Sequence, residues 1–229
     1  MNDTKAKEIL DRVVGAIFGY QNPLTLEQAK QKFAFDLRLP QQVYDSYTQQ
    51  PTWASSINPS KFIASENPKL QDDWMRPKKQ LAGIEDIITA WSDTNYTTTS
   101  RQLDCINIDK CDNVYTSDGL YMCCDIRNSK NSIFCEGGDS YEFVVAGSRS
   151  FASSYCIRVE DSQLCSNSFN VIWSNKVTNS YFIQDCYDVM DCMFCSHISG
   201  KRFCISNMQY TEEEYNQFKQ LITHWILTS

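Results

Sequence analysis

The chain has only two histidines, His197 and His224, so acid–base and metal chemistry have few places to sit. It contains no phosphate-binding loop, no GxGxxG and no GxSxG, which removes the common nucleotide-binding and serine-hydrolase signatures. No run of about 18 apolar residues occurs, so no helical membrane span is expected. Met1 is followed by Asn2-Asp3-Thr4-Lys5, without the apolar core of a secretory signal. Synthesis in the cytoplasm, with reduced thiols, is the expectation from that opening. Basic charge is short in the second half: residues 1–104 carry 12 basic and 13 acidic side chains, residues 105–229 carry 9 and 15. That balance argues against binding phosphate backbones, because such affinity comes largely from Lys and Arg.

Cysteine is absent before Cys105 and after Cys204, and all 11 fall between them, an odd number that cannot pair completely. Through this stretch, short apolar groups alternate with Ser, Asn, Asp and Cys. Tyr115, Phe134, Tyr155, Ile172 and Phe194 follow one another at steps of 19, 21, 17 and 22 residues. Tyr121, Val144, Leu164, Phe182 and Phe203 form an interleaved series at 23, 20, 18 and 21. Steps near twenty predict a solenoid whose coils each bury a strip against the next. No pentapeptide consensus holds the steps in register. Asn and Ser are expected at the turns, where they tolerate left-handed backbone, and stacked polar groups are expected to form ladders. Gly119, Gly137-Gly138 and Gly147 are expected at sharper corners.

Around the solenoid the sequence predicts helices. One runs from an Asp3 or Thr4 cap to about Gly19, with Ile9, Leu10, Val13, Val14, Ile17 and Phe18 on one face. It is read as packing on its own domain, with docking to a partner as the alternative. Thr25 and Gln28 have capping-box spacing and open a second helix to about Phe35. Ile84, Ile87, Ile88 and Trp91 give Gly83–Ser92 an apolar face, and Asn95 to Thr99 is strand-prone. Thr211 and Glu214 open a last helix to about Leu227, expected to cap the C-terminal end, while the first helices are expected to cap the other. Between Leu39 and Gln80 lie Pro40, Pro51, Pro59, Pro68 and Pro77, with Tyr44, Tyr47, Trp53, Phe62 and Trp74 among them. Prolines at that density oppose helix and limit sheet pairing, and the aromatics oppose disorder. The expectation is an extended arm draped over the solenoid or a neighbouring subunit, with those five aromatics as candidate partner-binding residues.

Chemistry has few candidates. Cys186, Cys192, Cys195, His197 and Cys204 form the best zinc set, since Cys192-x-x-Cys195 has knuckle spacing, but only one such pair is present. The competing reading makes these cysteines small inward residues stacked coil on coil. Cys195 and His197 would share a strand face in any sheet, so their spacing is not a catalytic signature. Asp185, Asp188 and Asp191, like Glu160-Asp161, are read as solvated turns rather than a calcium or acid–base site.

The segments Asn128-Ser129-Lys130-Asn131-Ser132-Ile133-Phe134-Cys135 and Asn179-Ser180-Tyr181-Phe182-Ile183 resemble the Cys/Ser/Asn-rich short-coil β-helix proteins of large tailed phages and some bacteria of reduced genome. The resemblance covers roughly residues 70–225. It implies a virion or assembly role and carries over no catalytic motif. The expected fold is mainly β, a single-stranded right-handed β-helix with a helical N-terminal region, an extended arm and a C-terminal capping helix. Its divisions are residues 1–104, 105–210 and 211–229. The expected function is that of a non-enzymatic structural protein, without a cofactor, which contacts other structural proteins or itself in a virion. The alternatives are an acidic module that occupies a basic nucleic-acid-binding surface and a glycan-binding β-helix using exposed aromatics and acids.

Overall fold

From Asp104 to Ser206 every third residue has left-handed backbone, with φ between 43° and 73°. Each triplet runs inward residue, outward residue, left-handed residue, and four triplets complete a coil: residue i lies beside residue i+12 throughout. One ladder passes through Asp112, Cys124, Glu136, Ser148, Glu160, Ile172, Gln184 and Ser196. The structure, a computed structural model, describes residues 1–57 and 61–228; Pro59 lies outside the described residues. It is mainly β, a parallel β-solenoid of about nine turns with helices at both ends of the chain. The expected repeat near twenty residues is wrong, and the coil holds twelve. No helix of the described residues is long and apolar enough to cross a membrane.

A coil this narrow admits four inward side chains, and their size is limited by the opposite wall. From Cys111 to Cys195 every inward position is buried except Gly138. Serine solves the polar problem of such an interior. Ser129 Oγ donates to the Arg127 carbonyl at 2.7 Å and accepts the Tyr141 N–H of the next coil at 3.0 Å. Ser150, Ser162 and Ser174 repeat the pattern, so that the N–H groups of Ser162, Ser174 and Cys186 are each satisfied at 3.0–3.1 Å. The expected serine ladder exists, but inside the coil; asparagine takes the left-handed corners, as at Asn128, Asn131, Asn167 and Asn179. Of the expected glycine corners, Gly119 and Gly137 are left-handed. Gly138 and Gly147 serve another purpose: they make room for Tyr141, the one aromatic ring turned inward, against which an added Cβ at Gly138 would collide.

Outward residues form four columns, and one is apolar: Tyr121, Ile133, Val145, Ile157, Phe169, Tyr181 and Met193. Helix α1 (Asp3–Phe18) lies along it. Its sixteen residues span about 24 Å, and the five coil steps from Tyr121 to Tyr181, at about 4.8 Å each, span the same length. Both ends are fixed: Asp3 Oδ1 accepts from Tyr121 Oη at 2.7 Å, and Tyr181 Oη donates to the Ile17 carbonyl at 2.7 Å. The α1 cap is Asn2 rather than Asp3 or Thr4. Helix α2 (Leu26–Phe33), with the expected Thr25–Gln28 capping box, extends the cover through Phe33 on Phe169. These helices therefore clothe a flank and do not cap an end.

The N-terminal end is closed by the proline-rich segment, which is folded rather than merely draped. Gln41–Tyr44 pairs antiparallel with Pro51–Ala54, and Lys61–Ala64 pairs parallel with Tyr96–Thr99. Pro51 is tolerated because it begins an edge strand. The join to the first coil is a buried carboxylate: Asp112 accepts from the Ser55 N–H and Oγ at 2.8 and 2.7 Å and from Arg101 at 2.8 Å. At the other end, Cys204–Ile205 turns back on Met208–Gln209. The Asn207 side chain accepts the Ser196 N–H at 3.0 Å and donates to its carbonyl at 2.9 Å, standing in for the strand of a further coil. Helix α4 (Glu212–Thr228), opened by Thr211 and Glu214 as expected, lies beside the last coils, with Tyr215 against Phe203, Lys219 on Asn179 and Trp225 against Phe182. The hairpin terminates the ladder, and the helix covers a flank.

Candidate functional site

The five candidate zinc ligands do not form one coordination set. Cys186, Cys192, Cys195 and Cys204 are all inward residues, whereas His197 is a left-handed corner on the outside, 3.5 Å from Asp185. Among the described residues no group of three His, Cys, Asp or Glu side chains is placed to hold a metal ion. The premise that Cys195 and His197 share a face is also corrected, because the left-handed residue of each triplet breaks simple strand alternation. Asp185, Asp188 and Asp191 are three successive corners of one coil and diverge. All 11 cysteines are free thiols. A hydrogen bond between Cys192 and Cys195 draws the Cys195 thiol down and pushes Cys192 up. Burial raises Cys123, Cys156 and Cys165.

Two outer surfaces remain. The first is at the N-terminal end, where Tyr47 stacks on Tyr96 with ring centroids 5.4 Å apart and Trp74 tilts against the same Tyr96 ring at 5.2 Å. Of the five expected partner-binding residues, only Tyr47 and Trp74 come together. Tyr44 stands exposed on its strand, while Trp53 and Phe62 are half-buried in the two short sheets. Tyr96, which unites the pair, was legible only as part of a strand-prone run. Beside this cluster lies helix α3 (Ile84–Ser92). No side chain of α3 is buried: Ile84 is 64% and Trp91 60% exposed, and Ile87 and Ile88 are each about half exposed. Arg76 ties the preceding loop to the C-terminal end of α3, donating to the Ala90 carbonyl at 2.5 Å and pairing with Asp93 at 3.2 Å. Met75 and Leu81, also exposed, extend the apolar surface.

The second surface is a corner of the solenoid on which Arg149, Asp161, Trp173, Asp185 and His197 are stacked one coil apart. Arg149 holds Asp161 at 2.8 and 3.0 Å, which lowers the Asp161 pKa, and Trp173 Nε1 donates to the same carboxylate at 3.3 Å. A shallow depression beside the exposed Trp173 ring is lined by Gln163, Asn175, Asp185 and Tyr187. Trp173, which no sequence motif marks, sits twelve residues from both Asp161 and Asp185. Scans against known protein-family models and the curated proteins find no match to this chain.

Proposed function

We propose that the protein is a non-enzymatic structural protein that joins a larger assembly through protein–protein contacts at the N-terminal end of its solenoid. The observation that carries this reading is α3. An isolated helix of fewer than about 12 residues is marginal in water, and contiguous exposed apolar surface marks interaction sites. Nine residues with Ile84, Ile87, Ile88 and Trp91 all exposed need a cover. The Tyr47–Tyr96–Trp74 stack provides an aromatic rim of the kind enriched at interfaces. A phage virion, with the chain made in the host cytoplasm, is the setting that the sequence resemblance implies. Quantitative mass spectrometry of particles purified from the source tests it. A fixed copy number is expected, lost in an Ile87→Glu/Trp91→Glu double variant that still folds; normal incorporation of that variant would remove this surface from the proposal.

A glycan-binding reading draws on the Trp173 corner, where an exposed indole is flanked by carboxylates and amides that can accept and donate to hydroxyls. It predicts binding on a glycan panel that disappears in Trp173→Ala, and no wild-type binding across the panel would end it. The acidic-module reading draws less support. Asp36, Asp125, Glu136, Glu160, Asp161 and Asp191 are paired with Arg158, Arg38, Arg149 or Arg202.

A further inference from the structure

A second apolar helix face lies near the other end of the solenoid. Phe218, Leu221 and Trp225, spaced i, i+3 and i+7 on α4, are 44%, 68% and 52% exposed: Phe218 leans one edge on Tyr210 and Trp225 on Phe182, Leu221 stands furthest out, and another side of α4 buries Tyr215, Ile226 and Leu227. The helix is thus apolar on more than the side that its own solenoid uses.

We infer that α3 of one copy docks on this outer face of α4 of the next copy, so that the chains associate head to tail. This rests on the reading of α3 as a docking helix and names its partner. Charge selects the pairing and its direction. The loop beside the C-terminal end of α3 carries Lys78 and Lys79, with Lys79 lining the same surface as Ala90 and Thr94, while the neighbouring Arg76 is already paired with Asp93. The first turn of α4 is Glu212-Glu213-Glu214. An antiparallel seat brings those opposite charges together and sets Trp91 toward Phe218 and Ile84 toward Trp225. The two helix dipoles then oppose, which is favourable. Pairing α4 with α4 in parallel would oppose three glutamates to three. Because the two faces differ and lie near opposite ends of the solenoid, the contact is heterologous and adds copies without closing a pair.

The test is sedimentation of full-length protein over a range of concentrations, with Ile87→Glu and Leu221→Glu variants whose unchanged thermal melts show that they fold. Wild type is expected to grow in mass with concentration, and each variant alone is expected to stay monomeric. Mixed in equal amounts, the variants should form a 1:1 dimer and stop, since Ile87→Glu retains an intact α4 and Leu221→Glu an intact α3. If Leu221→Glu alone still dimerises, α3 pairs with itself and the inference is overturned; if wild type stays monomeric throughout, it is overturned as well. In the latter case, loss of Ile87→Glu/Trp91→Glu from the particle would keep α3 as a docking surface for a different protein, and normal incorporation would remove both readings.

Discussion

Tyr141 shows how little slack a twelve-residue coil has. Its ring turns inward where other coils carry Ser, Cys or Val, and it fits because Gly138 and Gly147 present no side chain on the facing walls. Its hydroxyl is used on both sides, donating to the Gly137 carbonyl at 3.1 Å and accepting the Ser150 N–H at 2.9 Å. Gly138 is not left-handed, so alanine would meet no backbone objection there; the obstacle is the Tyr141 ring. Gly138→Ala is therefore expected to destabilise the protein by about 1–3 kcal/mol, as overpacking does. A Gly138→Ala/Tyr141→Ser double variant should recover much of that loss, because serine restores the inward ladder. Urea denaturation of the three proteins measures both effects, and a Gly138→Ala midpoint equal to wild type would refute the account of these glycines.

At the scale of elements, the helices were legible and the coil was not. Caps and 3.6-residue periodicity located α1, α2, α3 and α4 to within a few residues, since those signals are local. The spacing of the largest apolar residues does not carry the coil length, because they occupy mixed positions: Phe134, Tyr155 and Phe194 are left-handed corners, whereas Tyr115 and Ile172 are outward strand residues. Many large residues serve the flank beneath α1 and α4 rather than the interior. The true period was carried by cysteine. Ten of the 11 cysteines are separated by multiples of three residues, and the exception, Cys124, points outward to the Arg38 carbonyl at 3.2 Å. The N-terminal sheets have their own anchor, equally hidden in sequence. Asp45 is buried, which by itself would raise its pKa, but the N–H groups of Ala64, Thr48 and Tyr47 and the Asn67 amide outweigh burial and bring it to about 2. A carboxyl whose folded pKa lies below its unfolded value stabilises the fold above the unfolded pKa. That contribution, on the order of 2 kcal/mol, is lost as pH falls from about 4 to about 2. The stability difference between wild type and Asp45→Asn should therefore be large near neutrality and shrink across that window; a difference independent of pH would show that the charge is not what matters.

The whole molecule gives thiol chemistry an ordering that ionisation alone would reverse. A thiol reacts as its thiolate, so a lowered pKa favours alkylation. Cys195 is the thiol drawn down, by its hydrogen bond from Cys192, while Cys165 is pushed up to about 11 by burial. On that basis Cys195 would react first. Yet Cys195 is 1% exposed, enclosed on its inward wall between Ile183 and the end of the solenoid. Only Cys105, in the first coil, keeps appreciable access. If the coils open together rather than one by one, access governs: iodoacetamide at about pH 8, where an ordinary exposed cysteine is already partly thiolate, should label Cys105 in the folded protein and the others only after denaturation. Mass spectrometry of the labelled chain reads this directly. Early labelling at Cys192, Cys195 and Cys204, with Cys123 and Cys135 still protected, would instead mean that the last coils fray from the C-terminal hairpin while the centre holds. In that case the Asn207 clasp on Ser196, and the face of α4 proposed to receive the next copy, would belong to a segment that opens separately from the rest of the solenoid.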